Sequence, residues 1–202
     1  MKKTITLISL LLFSFTNIYS QIVTWDFCED FEDFNANDYI AQTSDNWNTW
    51  GELMSGWTAP FNDDAMVVND TASSGNNSLY FIDATGQGGP QDIILMFDTT
   101  PNITASTLST LSTPYVGGNF SFSQKMFVVP GKTGYFNFQE ENIPGTSWAL
   151  QVELDSLGNI NMTNGAVAPI FSTTYYLGVW FEISFDIDLS NNLWEVYIDG
   201  VL

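Results

Sequence analysis

The sequence predicts an all-β fold, a two-sheet antiparallel sandwich or jelly roll, and three observations carry that prediction. Apolar and polar residues alternate in NFSFSQKMFVV (119–129), WALQVELD (148–155) and WFEISFDIDLSNNLWEVYIDG (180–200). A period of two gives a strand one buried face. Turn chemistry bounds these runs: PGKTG (130–134), SLG (156–158) and Asn191-Asn192, at the spacing of short antiparallel strands. Composition leans the same way: aromatic residues make up 15% of the chain, glycines number fifteen, and long helix-like segments are few.

Each segment has its own reading. Residues 1–20 combine a basic MKK start, the apolar ITLISLLLFSFTNIY and a small Ser20 before Gln21. That is the pattern of a secretory signal peptide, too short and wrongly flanked for a membrane span. The mature domain is expected over 21–202. WDFCEDFEDFNAND (25–38) reads as a first strand plus an entry loop. A turn-rich stretch carrying Trp47, Trp50 and Trp57 follows. AMVV (65–68) and SLYFI (78–82) are strands around the loop NDTASSGNN, and DIILMF (92–97) is a strand apolar enough for burial on both faces or for a close loop cover.

Phe120, Phe122, Met126 and Val128 are expected to face inward, then Phe136 and Phe138. Trp148, Leu150, Val152 and Leu154 follow, pairing back with Ile160 and Met162 as Val152–Met162 and Leu154–Ile160. After a loop through Pro169 comes the last hairpin. Its predicted register sets Leu189 against Trp194, Ile187 against Val196 and Phe185 against Ile198. The other face then pairs Asp188 with Glu195 and Asp186 with Tyr197.

Charge narrows the partners. The formal charge is −19, with all 23 acidic residues beyond position 20 and only Lys125 and Lys132 as cations there. Such a chain repels phosphate backbones and anionic bilayers, so neither nucleic acid nor membrane insertion is expected. Calcium and neutral glycans are compatible partners. Cys28 is the only cysteine. It reads either as a small buried residue of the first strand or as half of a disulfide to a cysteine outside this sequence.

Trp180, the D-I-D run into an Asn-rich turn and V-Y-I-D-G resemble the late hairpin of laminin-G-like modules of the concanavalin A-like jelly-roll superfamily. The resemblance is nearer to jelly-roll modules of secreted Bacteroidetes proteins. It rests on Cys28, Asp30, Phe31 and Glu32, on Trp47, Trp50 and Gly51, and on Pro130 to Asn137 with Gln139, in that order. It implies a jelly roll, an extracellular or cell-surface place, and further domains in a protein that uses type IX secretion. It also implies a final strand past V-Y-I-D-G, so the domain is expected to be truncated at its C-terminus.

No catalytic set is expected. The chain has no histidine, which excludes a Ser-His-Asp triad and a histidine zinc site. Some relatives in the superfamily are glycoside hydrolases with E-x-D-x-x-E; here Glu153 and Asp155 are followed by Gly158, so one carboxylate of the pair is missing. Two binding readings remain. Tyr135, Asn137, Gln139, Gln151, Glu153, Trp180, Glu182 and Tyr197 point outward and are expected to line one concave face suited to sugar rings. Asp186, Asp188 and Glu195 crowd one surface of the last hairpin and are the candidate ligands for Ca2+. The function expected is therefore a secreted, non-catalytic module that binds a polysaccharide or surface glycan, or mediates adhesion. A ligand-free interaction domain of a larger protein is the alternative, and a polysaccharide-degrading hydrolase a more distant one.

Overall fold

The computed structural model describes residues 27–60, 62–82, 91–95, 117–140, 143, 145–166 and 168–202. The expected signal peptide and the end of DIILMF lie outside the described residues. The fold is all-β, with two antiparallel sheets stacked over one core. One sheet has four strands in the order β6–β7–β8–β9: β6 Gly134–Gln139, β7 Trp148–Leu154, β8 Asn159–Thr163 and β9 Phe171–Thr174. The other has three, β5 Asn119–Met126, β10 Phe181–Asp188 and β11 Leu193–Ile198, with β10 central. PGKTG carries the chain from β5 in one sheet to β6 in the other.

The core is made by the alternating residues. Leu150, Val152, Leu154, Ile160 and Met162 from one sheet meet Phe181, Ile183, Phe185 and Ile187 from the other, all buried. Rings interlock across the gap: Phe138 lies 5.3 Å from Phe185 and 5.2 Å from Trp194, both edge-on. This is the geometry ring quadrupoles favour. Val152 pairs with Met162 and Leu154 with Ile160, as the register argument requires.

A smaller layer precedes the sandwich. It contains α1 Ile40–Thr43, β1 Trp47–Thr49, α2 Trp50–Ser55, the hairpin of β2 Met66–Val68 with β3 Ser78–Tyr80, and β4 Ile93–Leu95 paired with β1. Ile40, Ala65 and Val67 form its core, with Phe31, Phe34, Trp47, Leu79 and Ile93 against them. The buried Asp64 ties the layer together, accepting from Ala41 N at 3.0 Å, Ala65 N at 2.8 Å and Gln42 Nε2 at 3.2 Å.

Several expectations are corrected. Residues 27–38 form turns rather than a first strand. Their acids capture local backbone donors: Glu29 accepts from Phe31 N, Asp30 from Glu32 N and Asp38 from Asn35 N. Such local bonds compete with a strand ladder, and Phe31 and Asn37 adopt positive φ. Cys28 consequently sits exposed as a free thiol, not buried in a strand. Strand β9 occupies part of the stretch read as a loop. Strand β4 is half-buried rather than buried on both faces.

The last hairpin is displaced by one residue pair. Ile187 faces Trp194, Phe185 faces Val196, Asp186 faces Glu195 and Ser184 faces Tyr197. The cause is Asp188, whose carboxylate accepts from Asn191 N at 3.0 Å and Asn191 Nδ2 at 2.7 Å. That starts the turn at Leu189, and Asn192 closes it with φ 53°. A shift of two in the pairing leaves every side chain on its predicted face. Trp148 departs differently. A bulge opposite Phe138 and Gln139 pairs Trp148 with Gln139, and the indole is 39% exposed. Bulges re-aim side chains in this way.

Candidate functional site

The outward positions of the four-stranded sheet form two continuous rows. Tyr135 pairs with Glu153, Glu153 with Asn161 and Asn161 with Ser172, crossing all four strands. The second row runs Asn137, Gln151 and Thr163. At the standard strand separation of about 4.8 Å the first row spans roughly 14 Å, the scale of an oligosaccharide of a few units.

A hydrogen-bond network fixes this face. Tyr135 Oη donates to Gln151 Oε1 at 3.0 Å and accepts from Asn137 Nδ2 at 3.2 Å. Gln139 Nε2 donates to Asn137 Oδ1, and Gly145 N donates to Gln139 Oε1 at 2.8 Å. Among the described residues, the Gln151 amide nitrogen and the Glu153 carboxylate have no hydrogen-bond partner. Burial of the phenol raises the Tyr135 pKa; the Asn137 bond lowers it, and the charges of Asp92 and Glu153 raise it further. Tyr135 therefore stays a protonated donor at neutral pH. Tyr135 is exposed, and Trp148 shares the face beside Gln139. The sheet thus offers aromatic surface at both ends and amides between.

The expected single face is divided. Tyr135, Asn137, Gln139, Gln151 and Glu153 stand together on the four-stranded sheet. Glu182 and Tyr197 belong to β10 and β11, whose inward faces meet that sheet across the core, so they point out on the opposite side of the sandwich. Tyr197 Oη donates to Glu195 Oε2 at 3.3 Å. Trp180, just before β10, packs tilted against Phe127 with ring centroids 5.6 Å apart and lines a recess of about 490 Å³ with Ser73, Lys125, Glu182 and Asp199. Sequence reasoning missed Trp148, Asn161, Thr163 and Ser172. The polar alternation N-I-N-M-T signalled the two on β8. The bulge re-aiming Trp148 and the pairing of the polar strand β9 had no local signature.

The calcium candidates are each occupied locally. Asp188 holds the Asn191 turn, Asp186 accepts from Ser121 Oγ at 2.7 Å, and Glu195 accepts from Tyr197. Among the described residues, no three His, Cys, Asp or Glu side chains are placed to hold a metal ion. Asp155, the middle acid of the hydrolase-like triplet, is bound in its turn: its carboxylate accepts from Leu157 N, Asn159 N and Asn159 Nδ2. These bonds, led by the Asn159 side chain, hold it below the usual carboxylate range. Gly158 has φ 90°, and a Cβ there would stand 2.8 Å from the Tyr175 carbonyl oxygen, so the turn excludes a third acid at that position.

The layer before the sandwich abuts this face. Trp50 N donates to the Asp92 carbonyl at 2.9 Å. The Trp50 ring lies against Gly145, where a Cβ would sit 2.3 Å from its Cη2. The Asp92 side chain is open to solvent but crowded on its protein side; that burial, then the charge of Asp63, raises its pKa to about 6. No protein-family model matches the chain, and no curated protein matches it.

Proposed function

We propose that this chain is an exported, non-catalytic module of the concanavalin A-like jelly-roll type, and that it binds glycans on the outer face of its four-stranded sheet. The observation that carries the reading is the row from Tyr135 through Glu153 and Asn161 to Ser172, backed by the Asn137–Gln151 row. Sugars present alternating apolar ring faces and hydroxyl edges. Aromatic side chains match the first, while amides and carboxylates match the second. The signal-like segment and the charge of −19 support work outside the cell, away from anionic polymers.

Affinity-gel electrophoresis against a panel of neutral polysaccharides tests the reading. Tyr135→Ala and Gln151→Ala should each abolish retardation, and Tyr197→Ala, on the opposite sheet, should not. Retardation lost with Tyr197→Ala and kept with Tyr135→Ala would refute this placement of the site. A second reading, an interaction domain, is favoured by one observation. Tyr39, bridged to Met66 of β2, and Tyr80 of β3, paired with the same Met66, stand in one row, with both tyrosines exposed. A chain that binds no glycan but self-associates or captures a partner through Tyr39 and Tyr80 would favour it.

A further inference from the structure

We propose that Trp50 and Asp92 form a second wall of the glycan face, and that the face selects oligosaccharides carrying a free protonated amine, of the glucosamine type, over N-acetylated or uronic-acid glycans. This deepens the reading given under Proposed function and rests on it.

The geometry begins with connection. Asp92 accepts Trp50 N through its carbonyl, the Trp50 ring rests on Gly145, and Gly145 N bonds Gln139, which leads through Asn137 to Tyr135 and Gln151. The start of β4 and the start of α2 therefore border the amide face. Trp50 is half-buried, and an indole bordering the network is the kind of surface on which a sugar ring stacks.

Charge then sets the ligand class. Tyr135 feels the charge of two carboxylates, its register partner Glu153 and Asp92 beyond the Trp50 contact. Among the described residues, neither carboxylate has a hydrogen-bond or ion-pair partner. Lys125 lies on the other sheet, and among the described residues no ammonium comes within ion-pairing distance of either acid. An anionic sugar entering here would be repelled. A protonated amine would gain charge-assisted hydrogen bonds, about twice as strong as neutral ones. A neutral N-acetyl group offers no such gain.

Calorimetry with a glucosamine trimer, an N-acetylglucosamine trimer and a galacturonate trimer, at fixed physiological salt and neutral pH, tests this. The amine trimer should bind about tenfold tighter than the acetylated one, and the uronate should not bind. Asp92→Asn and Glu153→Gln should each cut that preference. Asp186→Asn removes the same unit of charge from the opposite sheet and should leave the preference intact, which separates a local site from the overall charge of −19. Trp50→Ala should weaken both trimers together. Equal affinity for the amine and acetylated trimers, or a preference that survives the Asp92→Asn/Glu153→Gln double variant, would overturn the inference while leaving the glycan face standing. Binding to none of the three would overturn the inference, and the glycan face itself would then stand or fall on retardation by the neutral polysaccharides.

Discussion

Phe185→Ala is the sharpest perturbation of the sandwich. Phe185 is 1% exposed, and its ring centroid lies 5.3 to 6.3 Å from those of Phe122, Phe136, Phe138 and Trp194. Removing the benzyl group forfeits a transfer term of about 2.5 kcal/mol. If about 80 Å³ of the vacated space persists, the cavity adds about 2 kcal/mol. The sum, about 4.5 kcal/mol, corresponds to a fall in Tm of roughly 9–18 °C for a chain of this size. Urea unfolding followed by tryptophan fluorescence measures it, with an unchanged slope confirming that stability alone has moved. Phe185→Leu, which refills most of the space, should lose about 1.5 kcal/mol. A loss below about 1.5 kcal/mol for Phe185→Ala would refute the reasoning, because a ring enclosed by four others cannot be so cheap to remove.

Three further outcomes follow from named contacts. Asp64→Ala should cost about 2–4 kcal/mol, because it strands two backbone N–H groups at Ala41 and Ala65; Asp64→Asn, which keeps an acceptor oxygen, should cost less by the same urea titration. Asp92 has a folded-state pKa raised to about 6 from 3.8, so its contribution to stability is fully present below the unfolded value and is lost as pH rises through about 6; Tm should therefore rise as pH falls from 7.5 to 5, and Asp92→Asn should flatten that slope. Glu195→Lys should stabilise by about 0.5 kcal/mol, since Glu195 stands directly opposite Asp186; a lower Tm for this variant would contradict the observed register.

Most of the sandwich was legible because its strands bury one face each. Val152, Leu154, Ile160, Met162, Phe181, Ile183 and Phe185 follow a period of two, and every one is buried. Parity also protected the last hairpin: its register moved by a pair, yet Asp186 and Glu195 stayed outside. The N-terminal layer was less legible because side-chain bonds organise it. Glu29, Asp30 and Asp38 bend a segment read as a first strand with an entry loop, and α2 starts where Thr49 Oγ1 accepts from Glu52 N and Asp63 Oδ2 accepts from Gly51 N at 2.6 Å. Asp63 lies 12 residues along the chain from Gly51, beyond the reach of any local pattern.

The candidate face was half legible. Alternation identified Tyr135, Asn137, Gln139, Gln151 and Glu153 as outward, but it cannot tell which sheet a strand joins. Trp180, Glu182 and Tyr197 were grouped with them and belong elsewhere. Asn161 and Ser172 join the face only through the β7–β8–β9 pairing, which is a long-range fact about register.

Amide hydrogen exchange with and without a bound glucosamine trimer tests the location of the site most directly. The account predicts slowed exchange in peptides covering 134–139 and 148–163, with 181–198 unchanged. Protection confined to 181–198 would contradict it.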